Sequence, residues 1–292
     1  MTSRHRTSPV LALLMAATSM FAAVAMPAHA QFAAAVTPPR IEVHINPGEI
    51  TRQVIEITQA IRGVGNYRVY TADWSMDAAG ALSFYDKIQP GSCRPWVAIE
   101  RREVAVSMGA RVRFRFEVSP PADTTPKECR FALMIESKTQ EVQSGSSAAF
   151  PLSGRIAVIV YVAIGDVKPV LEPGATSVVK RDGQLAPAIS IHNRGAATGR
   201  LTGILQGVDA SGAAIEFAPE SVPVLPEQTR IIVLQPYEPG MKPNAAGLTA
   251  APSRLTVKWP LALTGNLEFG APGVGRIPLD RKVEAAATLP TQ

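Results

Sequence analysis

The chain has 292 residues, 46% of them hydrophobic and 18% charged, with 29 basic against 24 acidic side chains. A net charge of +5 at this length is a mild bias, which argues against a dedicated nucleic-acid binder with its basic side chains gathered in one patch. Two cysteines and four histidines without ligand spacing give no reason to expect a metal, and no cofactor is implied.

Residues 1–30 read as a signal peptide. Arg4 and Arg6 open a basic start, an apolar run extends from Val10 to about Val24, and Ala28-His29-Ala30 supplies the small-x-small pattern of a cleavage site. Thr18 and Ser19 interrupt a run already short for a bilayer span. No later segment is long and apolar enough to cross a membrane, so export as a soluble protein is the expectation. The leader carries two of the 29 basic residues and none of the 24 acidic ones, which leaves a mature net charge of +3.

Beyond the leader, short alternating runs bounded by Gly, Pro, Asn and Asp replace helical periodicity, as in β-sandwiches. Strands are expected at Arg40–Ile45, Gln53–Thr58 after the turn Pro47-Gly48, and Asn66–Trp74 before the turn Asp77-Ala-Ala-Gly80. Val97–Val106 reads as one further strand. In Arg111–Val118 the apolar Val112, Phe114, Phe116 and Val118 alternate with charged residues, which sends the two sets to opposite faces of a sheet. The arginines of that run read as a solvated outer face. Cys129–Glu136 and a long strand from about Ala148 to Ala163 complete the first half, and Gly165–Pro169 reads as a linker.

The second half repeats this style, with strands expected at Pro187–His192, Arg200–Val208, Ile215–Ala218, Thr229–Gln235, Arg254–Trp259 and Arg276–Lys282. Asp209-Ala-Ser-Gly212 is a hairpin turn, residues 236–253 a long loop, and the last ten residues disordered. The fold class is all-β, two immunoglobulin-like β-sandwich domains in tandem. Their boundaries are 31–165 and 166–285, with a tail at 286–292.

Cys93 and Cys129 both lie in the first half. Export permits a disulfide between them. Closing a loop of about 36 residues would stabilise the fold by roughly 3–4 kcal/mol in the chain-entropy model. Only His44 and His192 remain after leader cleavage, one in each half and each in a strand-like run. A Ser/His/carboxylate triad has no supporting motif, and neither a phosphate-binding loop nor a dinucleotide fingerprint is present. No catalytic residue is expected, and the chain reads as a non-enzyme.

Residues 144–163 carry the sharpest pointer to a partner. A polar lead, Gln143-Ser-Gly-Ser-Ser147, precedes Phe150 and Leu152 on one face, and the apolar run Ile156–Val162 follows. The later part reads as a buried strand and the earlier part as an overhang. Exposed strand edges invite aggregation and are normally blunted, so an unblunted one suits donation to another chain's sheet.

The chain resembles the PapD-like periplasmic pilus chaperones. The resemblance rests on Thr37-Pro-Pro-Arg-Ile-Glu-Val43 with Pro47-Gly48-Glu49, Tyr67-Arg-Val-Tyr70, the 109–118 strand, Glu128-Cys-Arg-Phe-Ala-Leu-Met-Ile-Glu136 and the strand 148–163. It covers about residues 35–165, the second domain matching by architecture alone. It implies a periplasmic chaperone that binds pilus or fimbrial subunits by donor-strand complementation and hands them to an outer-membrane usher. By position, Arg40 and Arg155 correspond to a basic pair that anchors the subunit's C-terminal carboxylate, and Ala148, Phe150 and Leu152 to donor residues. The sequence departs from the family in having Val162-Ala-Ile-Gly165 where an Arg-Pro link is usual. Two alternatives stand beside this reading: an exported structural or adhesive sandwich protein, and a hydrolase using His44 or His192.

Overall fold

The computed structural model describes residues 34–60, 62–138, 141–142, 151–152, 154–181, 183–237, 257–270 and 274–284. The expected signal peptide and tail lie outside them. Apart from one 3₁₀ turn, Arg94–Trp96, every regular element among the described residues is a strand, and none is a helix long and apolar enough to cross a membrane.

The first half contributes β1 (Ala34–Thr37), β2 (Arg40–Ile45), β3 (Thr51–Gln59), β4 (Val64–Met76), β5 (Leu82–Tyr85) and β6 (Val97–Ile99). It continues with β7 (Glu103–Ser107), β8 (Arg111–Val118), β9 (Lys127–Ser137), β10 (Glu141–Val142), β11 (Pro151–Leu152) and β12 (Arg155–Ile164). One sheet runs β1-β3-β8-β6 and the facing one β2-β12-β9-β4-β5, with β7 also on β4. This is the strand order of an immunoglobulin-like sandwich, its first strand divided between the two sheets.

The alternation read from Arg111–Val118 sets the core. Phe114, Phe116 and Val118 are buried, while Arg111, Arg113 and Arg115 are exposed. The buried set packs against Ile55 and Ile57 of β3 in its own sheet and Phe131, Leu133, Ile135, Val158 and Val160 of the facing one, all closed to solvent. Phe116 meets Phe131 edge to face at 5.9 Å, the geometry aromatic quadrupoles favour.

Val97–Val106 is not one strand. β6 pairs with β8 in the first sheet and β7 with β4 in the second, because the charged segment Glu100–Arg102 stays at the surface as the chain crosses between sheets. The expected strand at 148–163 is likewise divided into β11 and β12, with Gly154 before the latter.

The second half forms β13 (Leu171–Arg181), β14 (Gln184–Asn193), β15 (Leu201–Thr202), β16 (Leu205–Val208), β17 (Ala214–Pro219), β18 (Thr229–Tyr237), β19 (Leu261–Phe269) and β20 (Gly275–Val283). Their order is β13-β14-β18-β17-β16-β19-β15, with β20 on β19. β18 pairs with β14 through Thr229–Val233 and with β17 through Leu234–Tyr237, so one strand serves both layers. Between them lie Ile189, Leu205, Phe217, Leu234, Leu263 and Leu267, all sealed from solvent. The turn expected at Asp209–Gly212 joins β16 to β17. The Asp209 carboxylate accepts first from the Ser211 hydroxyl and then from the amides of Ala213, Lys258 and Ser211, which together hold its pKa down to about 2 against the opposing effect of burial.

Two strand expectations fail here. Arg200–Val208 breaks into β15 and β16 at Gly203, whose φ of +106° suits glycine and where a Cβ would come within 2.8 Å of the Asn266 carbonyl. Val257–Trp259 lies outside any strand, and residues 254–256 lie outside the described ones. The strand near there is β19.

Cys93 and Cys129 are both buried and are free thiols in this structure. The segment carrying Cys93 is pinned to β4 by Asp73, which accepts from the Gln89 amide at 2.9 Å and the Ser92 hydroxyl at 2.6 Å and pairs with Arg94 at 3.3 Å. Contact with the Cys129 thiol, and then burial, push the Cys93 thiol well up. Oxidation is expected to join the two: intact mass without reductant should be lower by two hydrogens, and alkylation of both thiols in the unreduced protein would contradict this. Phe131→Ala should cost about 3–5 kcal/mol in urea unfolding, and a loss near zero would remove Phe131 from the core.

Candidate functional site

The site begins with a mismatch in strand length. β12 pairs with β9 over its whole span, from Arg155 opposite Glu136 to Ile164 opposite Lys127. Its parallel ladder with β2 starts only at Ile159, opposite Arg40. The Ile159 amide donates to the Pro39 carbonyl at 3.1 Å, which fixes the parity: odd residues of β12 aim their backbone groups toward the β2 side. Arg155 and Ala157 therefore present amide and carbonyl to a flank with no ladder partner among the described residues. The same one-sidedness continues upstream. β11 pairs only with β10 among the described residues, Leu152 opposite Glu141, and the Ser137 amide reaches the Gly154 carbonyl at 3.0 Å to join the two ladders.

Where the β2 ladder starts, the strand borders a cleft of about 940 Å³ lined from both sandwiches. Four guanidinium groups line it, those of Arg40, Arg181, Arg200 and Arg230, with Glu220 among them and apolar side chains such as Ile159 and Val222 between. Arg40 and Glu42 share a face of β2 as i and i+2, and the Arg40 Nε meets Glu42 Oε1 at 3.1 Å. Arg200 reaches the same Glu42 oxygen through Nη1 at 2.5 Å. Its Nη2 donates to the Tyr161 hydroxyl at 3.1 Å, and its guanidinium lies 5.0 Å from that ring's centre. One carboxylate thus bridges two cations, and this Arg40–Glu42–Arg200 cluster keeps a single net positive charge for an incoming anion.

Further contacts join the sandwiches. The Glu128 carboxylate accepts from the Thr198 amide at 2.5 Å and hydroxyl at 2.6 Å, with Arg130 at 3.4 Å. Burial pushes the Glu128 carboxyl up, opposed by the Thr198 hydrogen bonds and the charges of Arg130 and Arg200. Leu225 of the second sandwich packs on Trp74, Met76 and Tyr161, an apolar strip on the outer face of the β2-β12-β9-β4-β5 sheet.

Of the residues singled out from sequence, Arg40 lies in the cleft wall, while Arg155 is not brought to it. Arg155 sits four positions before Ile159, about 13 Å along the strand, exposed, with its guanidinium 5.8 Å from the Phe84 ring centre. Ala148 and Phe150 lie outside the described residues, and Leu152 is described only in its backbone pairing. His192 Nδ1 shares a 3.0 Å hydrogen bond with the Thr229 hydroxyl, and no metal-binding cluster occurs among the described residues. Arg200, Arg230, Glu42 and Glu128 were missed. Their partners are far away in sequence, 158 residues between Arg200 and Glu42, and no local pattern marks such pairs.

No family model matches the chain, and no curated protein matches it. Solved structures similar to it include a class 5 fimbriae chaperone, CfaA, at 10% identity over 87% of this chain and all of that one, with a TM-score of 0.44. The YadV chaperone is similar at 7% identity over 86% of this chain and all of that one, with a TM-score of 0.45. The Pseudomonas aeruginosa CupB2 chaperone is similar at 10% identity over 82% of this chain and 97% of that one, with a TM-score of 0.39. At these identities no residue's role carries from those chains to this one.

The raised Glu128 pKa fixes a sign. The folded state holds the Glu128 proton more tightly than the unfolded one, so this group's contribution to stability falls as pH rises out of the ordinary carboxylate range. Relative to wild type, Glu128→Gln should therefore gain melting temperature between about pH 4 and neutrality. A wild type that gains on the variant over that range would contradict the assignment.

Proposed function

We propose that this protein is a periplasmic chaperone for pilus or fimbrial subunits. It acts by lending the open flank of β12, with its β10–β11 extension, to a subunit whose own sheet lacks a strand. The observation that carries the reading is the one-sided pairing of Arg155–Val158 beside the cationic cleft. Backbone groups of Arg155 and Ala157 then supply ladder bonds of any sequence, and side chains along the donated strand supply selectivity. Arg40 anchors the subunit's terminal carboxylate, with Arg200 as its cationic companion in place of Arg155. A guanidinium can hold a carboxylate by two parallel hydrogen bonds. Delivery to an outer-membrane usher completes the proposal. Neither ATP nor a cofactor enters such a cycle, because strand exchange trades one set of ladder bonds for another.

Co-expression with a subunit encoded beside this chain's gene tests the reading. Arg40→Ala should lower subunit recovery by at least about tenfold without changing the chaperone's melting temperature. Ala157→Pro, which removes an amide from the open flank alone, should act in the same direction. Wild-type recovery with both variants would overturn the proposal.

A further inference from the structure

Arg230 stands apart from the other cations of the cleft. It is 6% exposed, and its hydrogen bonds go to two backbone carbonyls of the β4–β5 turn, Asp77 at 3.2 Å and Ala78 at 3.5 Å. Among the described residues no carboxylate lies within ion-pairing distance of it. Arg40 and Arg200 share Glu42, and Arg181 has Glu220 at 3.6 Å. Buried charges are ordinarily paired with an opposite charge, and two carbonyl dipoles do not neutralise a guanidinium. Among the described residues the cleft therefore holds two separate unbalanced positive charges, one in the Arg40–Glu42–Arg200 cluster and one at Arg230. A chain end bearing only its terminal carboxylate satisfies the first and leaves the second.

We infer that Arg230 is a second anion-binding position in this cleft, and that it takes an acidic side chain within the last few residues of the bound chain end. The inference rests on the proposed reading in so far as the ligand is a peptide terminus. It adds a selectivity rule that the terminal carboxylate alone would not give. Gly80 is part of the arrangement: a Cβ there would lie 2.8 Å from Arg230 Nη2, so a bare backbone lets the guanidinium sit against the turn in the cleft's lining.

Two synthetic strand peptides of about a dozen residues test it. They alternate valine with serine or threonine and end in Glu-Thr-Phe or Gln-Thr-Phe, each made with a free and with an amidated terminus. The full-length mature protein should bind the free glutamate peptide about tenfold more tightly than the glutamine one at low salt, and Arg230→Gln should abolish that preference. A purely structural pin on the turn would weaken both peptides alike and leave the ratio intact. Equal binding of the two free-terminus peptides by the wild type overturns the inference while the terminal-carboxylate reading stands. If the amidated peptides bind as well as the free ones, or no peptide binds, the reading of the cleft itself falls. The wild-type ratio decides the matter even if the variant does not fold.

Discussion

The organisation of the first sandwich depends on β12 being longer than the strand that should flank it. β9 supports β12 along its full length, so the strand stays extended over Arg155–Val158, before β2 begins opposite Ile159. An extended segment without a second neighbour, as here among the described residues, is an unusual state for a β-strand. Its outward backbone groups stand in ladder geometry with no partner among the described residues. Soluble sandwiches usually suppress such edges with charge, proline or a covering loop. Arg155 and Pro151 do part of that here, since one adds charge and the other lacks an amide. The position of β2 determines where the open segment stops, and Arg40 stands at that stop.

The cleft follows from the way the two sandwiches are held. Glu42, Glu128 and the β4–β5 turn come from the first half; Arg200, Thr198 and Arg230 come from the second. Leu225 fills the apolar strip beside them. Polar contacts of this kind contribute little net stability each, and among the described residues the Arg200 Nε and the Trp74 indole Nε1 are buried without a hydrogen-bond partner. They fix orientation instead. Cations contributed from both halves then face one space, which makes the cleft's charge a property of the assembled pair.

Much of the fold was legible because it is local. Arg111–Val118 alternates, and its apolar members are core; Arg40–Ile45 matches β2 residue for residue; Asp209–Gly212 turns as an Asp/Gly tetrad should. What was illegible had competing signals. β19 has leucines at 261, 263 and 267, but alanine, threonine, glycine and asparagine lie between them and a Trp-Pro pair precedes it, so the run offers no clean strand alternation. β13 carries Pro173 and Gly174 in a bulge between Pro173 and Thr176. Val97–Val106 is apolar enough for one strand and gives no hint of a change of sheet. In the site, Arg40 could be found from its neighbours in sequence. The spacing of Arg155 from Arg40 depends on a ladder register, and register is settled by which strands pair rather than by any residue in the run. Arg200 and Arg230 owe their roles wholly to the other sandwich.

Residue-resolved hydrogen exchange on the free protein tests the central claim most directly. The Ala157 amide should exchange close to the rate of an unprotected peptide, while that of Val158, one residue on and turned toward β9, is protected. Capture of a subunit should then slow Ala157 by on the order of a hundredfold and leave Val158 as it was. Equal protection of the two amides in the free protein would mean that the flank is already filled, and the account of β12 as a lent strand would be wrong.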